Sequence, residues 1–268
     1  MNMPRRSFLH GSSLVILVAA LAVAASMSAH AALPPIVWGS PQTVSGDSDV
    51  STTGSLVYAY TFGGTAAPPS ATVNGVTFSP FRIPGGVVTS TTVGSVSLAE
   101  SPGNLFGSNS LGSSSAPYSA LSTDYKAILG SGAYADVPAS ITVTLGGLTS
   151  GQNYLVQWWT NNASNAAILG AGFTNTTALA TNSVTLDANT TNIAGGVGQF
   201  ALGTFTASGT TQTFLLSETG GDFNPLINAL QVRAVPEPVN SALAIVASAA
   251  SWMAWRRRGR RSGTASSI

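Results

Sequence analysis

The sequence predicts an all-β chain, an antiparallel two-sheet sandwich carrying one short helix. Three observations carry that expectation. Only 7% of the 268 residues are charged, against 44% hydrophobic, too few charged helix formers to solvate the outer faces of a helical bundle. Short β-branched and aromatic runs are punctuated by Gly, Asn and Ser at spacings that suit antiparallel strands, with no repeated βαβ pattern. Finally, Asn74-Gly75 separates Ala71-Thr72-Val73 from Val76-Thr77-Phe78, and Asn-Gly supplies the positive φ angles of a type I′ hairpin turn.

The elements follow in order. Leu56–Gly63 alternates, with Val57, Ala59 and Thr61 opposite Leu56, Tyr58, Tyr60 and Phe62, the two-residue period of a strand. Gly85–Gly112 is loop-rich and yields no element. Pro117 opens a helix at a position where its missing N–H costs little. Tyr118, Leu121, Tyr125, Ile128 and Leu129 share one face of it, and Gly130 is placed to cap its end; the helix is expected to lie as a lid over one end of the sandwich. Further strands are expected at Ser140–Leu145, Asn153–Asn161, Ser183–Leu186, Gln199–Ala207, Thr211–Ser217 and Leu226–Arg233. A body of some 200 residues buries an adequate core without disulfides, in keeping with a chain that contains no cysteine.

Three stretches have a more particular character. Leu145-Gly146-Gly147-Leu148-Thr149-Ser150-Gly151-Gln152-Asn153-Tyr154 leads into Leu155-Val156-Gln157-Trp158-Trp159. Leu202-Gly203-Thr204-Phe205-Thr206-Ala207 precedes Thr213-Phe214-Leu215-Leu216, and Ile227-Asn228-Ala229-Leu230-Gln231-Val232-Arg233 closes the body. The set resembles the galactose-binding-like jelly-roll modules of secreted bacterial proteins, over most of Asp47–Arg233. That resemblance implies a jelly roll; an immunoglobulin-like sandwich is the alternative.

The two ends differ from the body. Residues 1–31 read as an export signal: Arg5 and Arg6, then twelve apolar residues over Leu14–Ala25, then Ala29-His30-Ala31 as a cleavage site. Arg5-Arg6-Ser7-Phe8-Leu9 also resembles the twin-arginine export consensus, with Pro4 where Ser or Thr is usual; an ordinary Sec signal is the other reading. The body, 32–234, carries eight acidic residues (Asp47, Asp49, Glu100, Asp124, Asp136, Asp187, Glu218, Asp222) against Arg82, Lys126 and Arg233, a net charge of −5. No basic stripe remains for nucleic acid. Beyond the body come Val235-Pro236-Glu237-Pro238, the apolar Val239–Trp255, and an arginine-rich tail, 256–268, that opens Arg256-Arg257-Arg258-Gly259-Arg260-Arg261. As a helix the apolar segment is ~25 Å long, slightly short of a ~30 Å hydrocarbon core, and the arginines are expected to stay cytoplasmic.

That order, Pro236-Glu237-Pro238, apolar segment, arginine cluster, resembles the PEP-CTERM sorting signal of exported Gram-negative proteins. The resemblance covers about the last thirty residues. It implies the export machinery and an exosortase as partners, a transient stay in the inner membrane, removal of the anchor, and delivery to a cell surface or extracellular matrix rich in polysaccharide.

The chemistry open to the body is narrow. Both histidines, His10 and His30, lie in the signal segment, so Ser-His-Asp and Cys-His catalysis lack their base and His- or Cys-built zinc sites lack their ligands. A carboxylate pair drawn from Asp124, Asp136, Glu218 and Asp222 would be the remaining catalytic option, as in glycoside hydrolysis. Asp47-Ser48-Asp49 and Glu218–Asp222 offer oxygen ligands of the kind calcium takes, without EF-hand spacing. No cofactor is expected and no metal is assigned. Trp158 and Trp159 should point to opposite faces of one strand. Trp158 belongs with Tyr154 and Val156 in the core. Trp159, with Gln157 and Asn161, forms either an aromatic-plus-amide face suited to a sugar or a second buried face under the helix or a loop. The expectation is a non-catalytic exported protein associating with extracellular polysaccharide. The alternatives are a secreted carbohydrate-active enzyme using carboxylates, and a structural matrix protein without ligand.

Overall fold

Alternation of side chains along the chain builds the strands, and chain order fixes how they pair. The structure, a computed structural model, describes residues 36–101, 103–135, 140–164, 170–174, 184–218 and 224–236. Strands β1 (Val37–Trp38) and β2 (Gln42–Thr43) precede a 3-10 turn at Asp47–Asp49. Then come β3 (Ser55–Gly63), the hairpin of β4 (Ala71–Val73) and β5 (Val76–Arg82), a second hairpin of β6 (Ser90–Val93) and β7 (Val96–Ser101), and β8 (Leu105–Ser108). A 3-10 turn at Tyr118–Ala120 and helix α1 (Thr123–Leu129) lead to β9 (Gly132–Ala135). The remainder is strand: β10 (Ser140–Leu145), β11 (Asn153–Thr160), β12 (Gly170–Thr174), β13 (Val184–Asp187), β14 (Gln199–Thr206), β15 (Gln212–Glu218), β16 (Leu226–Ile227) and β17 (Ala229–Val235).

One sheet runs β1-β14-β11-β17-β3-β5-β4, with β2 also on β14; the facing sheet runs β13-β12-β15-β10-β7-β6. Taking β3, β10, β11, β12, β13, β14, β15 and β17 as first to eighth, the first sheet holds them in the order 1-8-3-6 and the second in the order 2-7-4-5. That is the double Greek key of a jelly roll. Strands β4–β9, the helix and a small sheet, β16-β9-β8, are built largely from the long connection between β3 and β10. One pair departs from the antiparallel expectation. β5 lies parallel to β3, Tyr60 opposite Ser79, because the β4–β5 hairpin folds back beside the strand it follows.

The core sits between the two sheets. On β10, Val143 is flanked by Leu98 and Phe214; on β11, Trp158 is flanked by Ala201 and Leu230. All six belong to one buried cluster. β10 alternates buried and half-buried, as a strand open on one face should, whereas β11 is buried almost throughout and therefore covered on both faces.

Three sequence expectations change. The stretch taken as loop, Gly85–Gly112, contains β6, β7 and β8; β6 is an edge strand of Ser, Thr and Val that buries little, so it has no apolar period to read. Leu226–Arg233 is two strands, broken at Asn228. The helix divides: Leu121 is extended (φ −65°, ψ 157°), and Ser122 starts α1 afresh by accepting the Tyr125 N–H at 3.1 Å, the usual work of a serine N-cap. Tyr118, Leu121, Tyr125, Ile128 and Leu129 are all buried, and with Trp159, Phe200 and Ala229 they form a second cluster. The helix therefore covers the outer face of the first sheet and not an end of the sandwich.

A hydroxyl-rich cleft as candidate functional site

The face expected to offer a sugar platform is interior. Gln157, Trp159 and Asn161 are each 0% exposed. Trp159 meets Phe78 edge-on at 5.6 Å, and its indole N–H donates to the Tyr125 hydroxyl at 3.1 Å. That hydroxyl in turn donates to Asp49 at 3.0 Å. Burial and the neighbouring Asp49 charge push the Tyr125 phenol well above its ordinary range.

The amides are occupied by the segments that do the covering. Gln157 accepts from the Ser51 N–H (2.9 Å) and from Gln231 (2.7 Å), and donates to the Asp49 carbonyl (2.6 Å). Gln231 reaches the Ser51 carbonyl, and the Arg233 guanidinium reaches the carbonyls of Thr52, Thr53 and Gly54. This column of polar side chains holds residues 49–54 across the sheet as a strap. Asn161 donates to the Leu129 carbonyl (3.1 Å) and accepts from the Gly198 N–H (2.9 Å). Asn228 does similar work, facing the carbonyls of Leu129 and Ser131 and accepting from the Asn161 N–H at 2.6 Å. Buried polar groups need partners, and here the partners are the backbone of helix and strap. A sugar ring has no approach to Trp159.

The acids divide similarly. Asp49 accepts from the N–H groups of Ser45 and Gly46 and from the Ser45 hydroxyl, and Asp47 accepts from Ser122 at 2.6 Å; both organise the turn that begins the strap. Asp124 is exposed in the first turn of α1. Asp136 and Asp222 lie outside the described residues, as do Glu237, Pro238, the apolar segment and the export signal. Pro236 is exposed directly after β17. Among the described residues no group of three or more His, Cys, Asp or Glu could hold a metal, and no helix is long and apolar enough to cross a membrane.

An open cleft of about 510 Å³ lies instead beside the end of α1, between the loop after β8 and the β3–β4 connection. Ser110, Ser113 and Ser114 line it, together with Asn109, Tyr118, Lys126 and the buried Ser131, whose hydroxyl lies 3.5 Å from that of Thr61; Ala67, Pro69 and Ala127 supply the apolar part. Its size falls within the ~300–1,000 Å³ of small-molecule sites. Asn109 shapes one wall, accepting from the Gly64 N–H (2.9 Å) and donating to the Ala66 carbonyl (2.6 Å). Tyr118 shapes the floor: its hydroxyl donates to the Lys126 carbonyl at 2.8 Å, and burial pushes the phenol up to about 12. Gly112 passes so close that a Cβ there would stand 2.9 Å from that hydroxyl. No His, Cys, Asp or Glu lines the cleft, so it offers hydrogen bonds and one ammonium group without a nucleophile–base pair. Its residues come from separated segments of the chain, so no local sequence pattern marks it. The usable signal was Lys126, the one lysine in the chain.

No family model matches the chain, and no curated protein matches it. Among solved structures it is similar to one from a study of the promiscuous specificity of carbohydrate-binding modules of the β-sandwich superfamily. The identity is 11%, over 59% of this chain and 70% of that one, with a TM-score of 0.16. A likeness of that degree carries no argument about ligand.

Proposed function

We infer that the chain is an exported, cell-surface, non-catalytic protein whose jelly roll holds a saccharide of the extracellular matrix in the cleft beside α1. The observation that carries the ligand reading is the lining itself: three accessible serines, an amide and an ammonium around an open cleft, with neither carboxylate nor imidazole. Such a surface matches the hydroxyl pattern of a sugar and lacks the paired acids that glycoside hydrolysis requires. The surface address rests on Arg5-Arg6, Leu14–Ala25 and the Pro236-Glu237-Pro238 tail, with exosortase as the processing partner. The supporting geometry is modest and local: β17 ends at Val235 and Pro236 is exposed.

A second reading, a matrix protein without ligand, draws support from the aromatics, since every Trp, Tyr and Phe whose side chain is described is buried or half-buried. Binding of the full chain to a panel of oligosaccharides separates the two. Saturable binding that Ser114→Trp abolishes by filling the mouth supports the cleft. Absence of binding across the panel favours the matrix role. For the address, mass spectrometry of protein recovered from the host surface should find a C-terminus near residue 238; intact protein ending at Ile268 would contradict processing.

A further inference from the structure

Lys126 is the single lysine of the chain, in a body where three basic residues face eight acidic ones. It lines a cleft to which no acid contributes. Its ammonium, half-buried, donates to one neutral acceptor, the Ser119 carbonyl at 3.2 Å. An ammonium carries three donors, so two remain for whatever enters. Of the body's other two cations, Arg82 lies outside the cleft lining and Arg233 is bound to the strap. The one positive charge in the cleft lining thus stands among serine hydroxyls.

We propose that the cleft selects an anionic saccharide: Lys126 holds a carboxylate or sulfate on the sugar, and Ser110, Ser113 and Ser114 hold its hydroxyls. This rests on the saccharide reading above and specifies its class. Lysine acts as a point charge without the paired geometry of an arginine fork, so it accepts either anion. With the rest of the body net acidic, attraction is confined to the cleft, and selection is short-range and moderate.

The lone lysine also makes the test clean. Reductive methylation with ¹³C-formaldehyde keeps the charge and labels only Lys126 and the chain's N-terminus. The labelled full-length protein is titrated with trigalacturonate, with its methyl ester, and with a sulfated disaccharide. The proposal expects trigalacturonate to move the Lys126 resonance and to bind about fivefold more tightly than the ester, the upper range for an ion pair open to solvent. Lys126→Met should reduce trigalacturonate to the level of the ester, and Lys126→Arg should keep the preference. Tighter binding of the sulfated sugar, with the same dependence on Lys126, supports the proposal and names sulfate as the anion. Equal affinity for acid and ester, with Ser114→Trp still abolishing both, overturns anion selection and leaves the saccharide cleft standing. No binding by any of the three overturns both.

Discussion

Trp158 and Trp159 are adjacent on β11 and both fully buried, yet they are covered by different means. Trp158 faces the second sheet, tilted against Phe214 at 5.9 Å, within a cluster drawn from both sheets of the sandwich. Trp159 faces outward, and what buries it is a seven-residue helix and a strap. These are fastened by Gln157, Gln231, Arg233, Asn161 and Asn228 through hydrogen bonds to backbone. The inner face closes by apolar area, which is non-directional and spread over many residues. The outer face closes through a few directional bonds, so each single loss should be local and visible. The candidate cleft sits on that second, separately attached layer.

The largest expected effect is at the inner face. Trp158→Ala should cost ~3–5 kcal/mol, the range for deleting a buried large aromatic, and should lower the stability of the whole sandwich in one cooperative transition. Denaturant unfolding followed by circular dichroism and by fluorescence would check it; separate transitions from the two probes would break the comparison. Asn228→Ala comes next, at about 3 kcal/mol, because it strands the Ser131 carbonyl and the Asn161 N–H in the interior and takes one of two side-chain donors from the Leu129 carbonyl. Its loss should also loosen the link between α1 and the sheet.

Gln157→Leu keeps the volume and removes the grip on the strap, for about 2 kcal/mol. Hydrogen exchange at residues 49–54 should accelerate, led by the Ser51 N–H that Gln157 accepts from, while β10 and β15 keep the exchange of the wild type. Uniform acceleration would mean that strap and sandwich are one cooperative unit. Tyr125→Phe is smaller, ~1–2 kcal/mol, the hydroxyl linking Trp159 to Asp49. It also has a pH signature. The folded protein holds the Tyr125 proton more tightly than the unfolded chain, whose tyrosines ionise near ~10. That contribution is complete below pH ~10 and declines above it as the unfolded state alone ionises. Tyr118, pushed up to about 12, adds to the same decline between ~10 and 12. Tyr125→Phe and Tyr118→Phe should each flatten the alkaline loss of stability; an unchanged slope would contradict the cause assigned to it.

The same contrast explains what the sequence could convey. Ser140–Leu145 is read residue for residue because its alternation has one buried face, and Asn74 and Gly75 stand at φ 48° and 75° as an Asn-Gly hairpin demands. β9, Gly132–Ala135, is missed because three of its residues are Gly or Ala and carry no apolar period. Gln157, Trp159 and Asn161 share a face as alternation requires. Whether that face is wet depended on the strap and α1, more than 100 and about 30 residues earlier in the chain, and no local pattern reports such contacts. The cleft is harder still, since Pro69, Ser110 and Ser131 meet only in the tertiary fold.

The central claim is that this protein meets its saccharide on the second layer, at the cleft beside α1, and not at the tryptophan face. Hydrogen exchange of the full chain, measured with and without a saturating oligosaccharide, tests it most directly. The account predicts protection concentrated in residues 109–114 and 126–131, with the amides of 153–161 unchanged. Protection confined to 153–161 would contradict it, because it would require the helix and strap to open and the sugar to reach Trp159.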